Sequence, residues 1–150
     1  MQRLVACLSV VAIMVGCGGN GPNPGVAEEA GSACDPAAAR EVVERFGERM
    51  RLVSLLAPDT VRDREIREAY ADLVTPSLLE AWLADRSRAP GRETSSPWPE
   101  RIEVRSVAAE NGAACVVEGD GGHVTSVGQE TFREPVTLRV VENGGWRIAE

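Results

Sequence analysis

The hydrophobic period of this chain changes once, and that change limits the possible folds more than any other feature. Apolar residues first recur at spacings of three and four: Val42, Val43, Phe46, Met50, Val53 and Leu56, then Ile66, Ala69, Tyr70, Leu73 and Val74, then Leu78, Leu79, Trp82 and Leu83. That is the spacing of helices with one buried face. After Glu100 the period becomes two, with Ile102, Val104 and Ser106 alternating with Glu103 and Arg105. Helices followed by strands predict an α+β domain. Asp35-Pro36 places an N-cap residue before a proline at the first helical position. Pro58 ends this first helix, for an expected length of about 22 residues, or about 33 Å. Asp59-Thr60 opens a second helix and Thr75-Pro76 a third, and Ser87 to Pro99 is expected to be a long loop.

Turn residues divide the period-two region. Asn111-Gly112, Gly119-Asp120-Gly121-Gly122 and Asn143-Gly144-Gly145 are read as hairpin turns. Connections this short require antiparallel pairing, giving a curved sheet of about four strands. On this basis His123, the one histidine, is an exposed turn residue, and Asp120 is a turn former. One face of the sheet, with Ile102, Val104, Cys115, Val117, Leu138 and Val140, should meet Val42, Phe46, Met50 and Val53 of the first helix. Leu79, Trp82 and Leu83 of the third should join them. A one-residue slip would bury Arg105, Glu118 and Arg139 instead.

Charge excludes whole classes of function. The chain has 16 basic residues, all Arg, against 23 acids, for a net charge of −7. An acidic chain lacks the electrostatic footprint of a nucleic-acid binder, so no nucleic-acid partner is expected. The lack of Lys excludes Schiff-base and P-loop lysines. No motif calls for a cofactor or a metal ion.

The N-terminus reads as an address. Arg3 precedes the apolar run Leu4 to Val15, which is short for a membrane span of roughly 20 residues. The run ends at Met14-Val15-Gly16-Cys17, which resembles the lipobox of bacterial lipoproteins. The resemblance implies a signal peptide over 1–16 and acylation of Cys17. It also implies export, with anchoring to the cell membrane or outer membrane by lipid. The segment 17–34 is rich in Gly, Pro and Asn and reads as a tether; about 16 residues of coil span roughly 20–24 Å. Residues 35–150 form the domain. Losing 1–16 removes one Arg and no acid, leaving a charge of −8. Such a domain is repelled by an anionic bilayer, so its membrane contact is the lipid.

Four cysteines are present. On the lipobox resemblance, Cys7 would leave with the signal and Cys17 would carry lipid. Cys34 and Cys115 remain, either as a disulfide clipping the first helix to the sheet or as two unrelated thiols.

A long helix, two shorter helices, a loop and a terminal meander ending in Val136-Thr137-Leu138-Arg139-Val140-Val141-Glu142-Asn143-Gly144-Gly145-Trp146-Arg147-Ile148 resembles the nuclear transport factor 2-like superfamily. The resemblance covers roughly residues 35–150. It implies a sheet curled around the helices into a cone, whose open end holds a small molecule or is filled by side chains. The superfamily includes isomerases, cyclases, dehydratases and non-catalytic modules, so the fold does not choose among them. Tyr70, Trp82, Trp98 and Trp146 are the candidates for a pocket or its mouth. Tyr70 either packs with its tip wet or aims its hydroxyl into the cone. Trp82 and Trp146 are expected to fill the space between helices and sheet, and Trp98 to plug the mouth. The expected function is a non-catalytic, lipid-anchored module that binds an envelope protein or a small ligand. The alternative is an isomerase, cyclase or dehydratase. A deep pocket with two convergent ionisable groups would favour an enzyme; a pocket filled by Trp, Leu and Val would exclude one.

Overall fold

The computed structural model describes residues 33–150. The signal segment 1–16, Cys17 and nearly all of the tether lie outside them. Helices α1 (Pro36–Arg49), α2 (Asp59–Tyr70) and α3 (Pro76–Ala84) precede strands β1 (Trp98–Glu110), β2 (Ala114–Val124), β3 (Glu130–Glu142) and β4 (Trp146–Ile148). The strands form one antiparallel sheet in the order β1-β2-β3-β4. This is the α+β class that the change of period predicts.

Two helix starts form as their sequences dictate. The Asp35 carboxylate accepts hydrogen bonds from the backbone N–H groups of Ala37 (2.9 Å) and Ala38 (3.1 Å), with Pro36 at the first turn. Thr75 caps α3, accepting from the N–H of Leu78. Its own N–H donates to Ile148 O at 2.8 Å, and the N–H of Ile148 donates to Leu73 O at 2.9 Å. The α2–α3 connection is thereby tied to the edge strand β4.

The first helix is shorter than its periodicity suggests. It ends at Arg49, followed by a 3-10 turn over Met50–Leu52. The chain then extends, and Val53 to Leu55 pair with the loop: Leu55 N–H donates to Arg92 O, and Arg92 N–H donates to Val53 O. These backbone bonds replace the helical ones over the last expected turns. Val53 stays fully buried, but Leu56 is 65% exposed. The long loop is also shorter than expected, because β1 already begins at Trp98.

Asn111 and Gly112 both have positive φ (51° and 82°) in the three-residue hairpin turn between the paired Glu110 and Ala114. The Gly119–Gly122 run corrects the expectation of a turn. It lies in the middle of β2, paired on both sides: Gly119 faces Val104 and Val136, and Gly121 faces Ile102 and Glu134. Gly119 is there for room. A Cβ at Gly119 would stand 2.7 Å from Glu103 O. Asp120 is accordingly a strand residue on the outer face, bonded to Arg105 at 2.9 Å. The true β2–β3 turn follows at Thr125–Gln129, where Gly128 N–H donates to Thr125 O and Thr125 N–H to Gln129 O.

The core forms between the helices and the sheet face predicted for it. Val42, Phe46, Met50, Val53, Trp82, Leu83, Ile102, Cys115, Val117 and Val140 are buried, with Leu79, Val104 and Leu138 packed against them. Arg105, Glu118 and Arg139 lie on the other side, paired with Asp120, Ser106 and Glu110. Helix α1 meets β1 at Gly47, where a Cβ would stand 2.4 Å from Ile102 N. Cys34 and Cys115 are disulfide-bonded with Cα atoms 5.3 Å apart, clipping the start of α1 to the start of β2. A disulfide suits an exported protein. No helix among the described residues is long and apolar enough to cross a membrane.

Candidate functional site

The sheet face that carries the core continues past it. Along β2 the period of two runs from Cys115 and Val117 through Gly119 and Gly121 to His123; along β3 it runs from Val140 and Leu138 through Val136 and Glu134 to Phe132. Near Cys115 this face is covered by helices. Toward His123 it opens into a cavity of about 510 Å³, within the ~300–1,000 Å³ typical of small-molecule sites. Phe46 and Met50 form one wall. Pro90, Gly91, Glu93, Thr94 and Pro97 of the connecting loop form another, with Pro99 and Ile102 on β1. The floor is Gly121, His123, Phe132, Glu134, Val136 and Leu138. Gly121 contributes space: the site of its missing Cβ is 3.6 Å from Glu134 Cγ and Val136 Cγ1, an ordinary contact distance.

His123 is therefore not an exposed turn residue. Its side chain is 15% exposed, and its ring stacks on Phe132 with centroids 4.2 Å apart. Its Nε2 is 3.9 Å from Glu134 Oε1, too long for a hydrogen bond. Its Nδ1 is buried with no hydrogen-bond partner among the described residues. Glu134 is 58% exposed, and Phe132 is 47% exposed although large and apolar. Thr94 is partly committed, donating its hydroxyl hydrogen bond to Pro97 O at 2.6 Å.

Most acids elsewhere on the sheet meet an arginine, Glu118 and Glu142 being the exceptions with Ser106 and the Gly145 N–H as partners. On the outer face Glu103 is bonded to Arg133 and Arg101, and Glu130 to the same two arginines. Those guanidinium contacts hold both carboxyls below the usual range. Glu110 meets Arg139 and Asp120 meets Arg105. Among the described residues no Arg lines the cavity. Among the described residues neither Glu93 nor Glu134 pairs with one, and His123 is the only basic group beside Glu134.

The aromatic residues proposed from sequence lie elsewhere. Tyr70 is fully buried, and its hydroxyl donates to Pro90 O at 2.7 Å, so the tip is neither wet nor aimed into the cavity. Burial pushes its phenol well above the ordinary value. Trp82 packs against both rings of a triad, 6.1 Å from Phe46 and 5.4 Å from Tyr70. Trp146 is half-buried against the core from the edge strand. Trp98 does not plug the cavity; its neighbours Pro97 and Pro99 line it. Trp98 faces a second, shallower groove with Arg51 and Leu52, its indole N–H donating to Glu100 at 3.4 Å. The signal for the cavity residues was present as period two continuing through the glycines, but a Gly-Asp-Gly-Gly run reads more readily as a turn.

Among the described residues no group of three or more His, Cys, Asp or Glu is placed to hold a metal ion. Comparison with protein-family models, with characterised proteins and with solved structures found no match.

Proposed function

We propose that this chain is an exported, lipid-anchored binding module whose inner cavity takes a small, largely apolar molecule. The observation that carries this is the open cavity itself. Its walls are mostly Phe, Met, Pro, Ile, Val and Leu, and its floor is left clear by a glycine. A few polar groups converge on it, as in sites where apolar contact supplies affinity and polar contact orientation. The disulfide supports a place outside the cytoplasm. Anchoring rests on the Met14–Cys17 box, with the tether holding the domain near the head groups. The kinship to the nuclear transport factor 2-like superfamily rests on the order of helices and strands and on the last hairpin.

The test fills the cavity from its floor. Gly121→Leu places a side chain into the space at a position with ordinary Cβ contacts. With the full chain carrying Cys17→Ser, the neutral dye Nile red should bind saturably to the parent. The Gly121→Leu variant should lose that binding while keeping its urea midpoint. Equal dye binding by both, or by neither, would refute the cavity as the binding site.

A second reading is favoured by the convergence of His123 and Glu134. An imidazole and a carboxylate beside an apolar cavity could exchange a proton with a bound molecule, as an isomerase, cyclase or dehydratase requires. This reading requires that the parent change the ligand it captures from an envelope extract, seen by mass spectrometry and chromatography, and that His123→Ala capture it unchanged.

A further inference from the structure

We infer that the cavity selects an organic cation: an apolar body carrying a basic or quaternary nitrogen. This deepens the binding reading above and rests on it. The residues responsible are Glu93 and Glu134 for charge and Phe132, stacked on His123, for a ring face.

Charge carries the inference. Arg is the only strongly basic side chain in this protein, and on the outer face of the sheet arginines neutralise the acids they meet. Among the described residues the cavity is lined by two glutamates and no Arg. Register explains why Glu134 is there. On β3 the residues Phe132, Glu134, Val136 and Leu138 share the inner face, while Arg133 and Arg139 point outward to Glu103 and Glu110. Glu134 is thus a carboxylate on an otherwise apolar row, with its nearest basic group 3.9 Å away. Glu93 and Glu134 are both exposed, so each draws a cation at the modest strength of a partly solvated carboxylate. An anionic ligand would meet like charge, and a neutral one would gain nothing from either carboxylate.

Shape agrees with charge. Phe132 keeps 47% of its surface exposed at the site where it stacks on His123. A ring face beside a carboxylate is the arrangement that attracts ammonium groups, most of all when water is displaced. The apolar walls at Pro97, Pro99 and Met50 receive the rest of the molecule.

The test uses three probes of similar size: benzyltrimethylammonium, its neutral carbon isostere neopentylbenzene, and the anion 4-tert-butylbenzoate. Binding to the full chain carrying Cys17→Ser is followed by NMR through the amides of Gly121 and His123. The buffer is held at 0.15 M ionic strength to screen the general negative charge. The ammonium should bind about tenfold more tightly than the neutral isostere, with the anion weakest. Glu93→Gln with Glu134→Gln should reduce that preference to about twofold or less, without changing the neutral probe. Glu41→Gln with Glu48→Gln alters net charge equally on the exposed face of α1 and should change nothing. Equal binding of ammonium and neutral probes would overturn the cation inference while leaving the binding site intact. A preference that survives the Glu93/Glu134 substitutions, or falls equally with the Glu41/Glu48 pair, would also overturn it. Failure of all three probes would remove both the inference and the binding reading.

Discussion

Replacing Gly47 by Ala sets two effects of opposite sign against each other. In an isolated helix the change is favourable by about 1 kcal/mol, because Ala loses less backbone entropy than Gly. In this protein the new Cβ would stand 2.4 Å from Ile102 N and 3.0 Å from Arg101 C. Ordinary contact begins near 3.4 Å, so helix and strand would have to separate by about 1 Å. Both clashing atoms are backbone, held in place by the β1–β2 ladder, and no rotamer change can relieve them. Overpacking typically costs about 1–3 kcal/mol, and a backbone contact belongs at the upper end. The net expectation is a loss of about 2 kcal/mol. In urea, with a slope near 2 kcal/mol/M, the midpoint should fall by about 1 M. The same displacement would move Phe46 and Met50 away from Ile102 across the cavity, so dye affinity should fall as well. A Gly47→Ala variant as stable as the parent, or more stable, would show that α1 does not approach β1 this closely.

The remaining expectations concern the clip, the buried phenol and the anchor. Replacing Cys34 and Cys115 by Ser opens a loop with a sequence separation of 81 and should cost about 4 kcal/mol in the chain-entropy model; an unchanged denaturation midpoint would contradict the clip. Tyr70 is the one tyrosine of the chain, and burial raises its pKa. The stability it contributes is therefore complete below the unfolded value of about 10 and is lost progressively as pH rises above it. Phenolate absorbance should appear together with loss of the folded circular-dichroism signal; titration near pH 10 in a fully folded chain would contradict the burial. Cys17→Ala should release the protein from membranes or block its processing, and no fatty-acid label on the parent chain would count against acylation.

Local residue chemistry was enough for some elements of this molecule. Asp35-Pro36 and Thr75-Pro76 carry their caps within a few residues, so their helix starts need no distant partner. Asn111-Gly112 supplies the positive φ that its hairpin demands. Period two then settles which strand face is buried, because slipping by one would bury three charged residues. Other features depended on partners far along the chain. Val53 to Leu55 leave the helical path because Arg92 offers backbone bonds there. Gly119 to Gly122 form a strand because β1 and β3 pair with it on both sides, outweighing the local tendency of glycine to turn. His123, Glu134, Phe132 and Glu93 come together only through that strand and the loop facing it. A turn is decided by a few neighbouring dihedrals, whereas a strand interior and a cavity are decided by what lies across them, and only the tertiary structure supplies those partners.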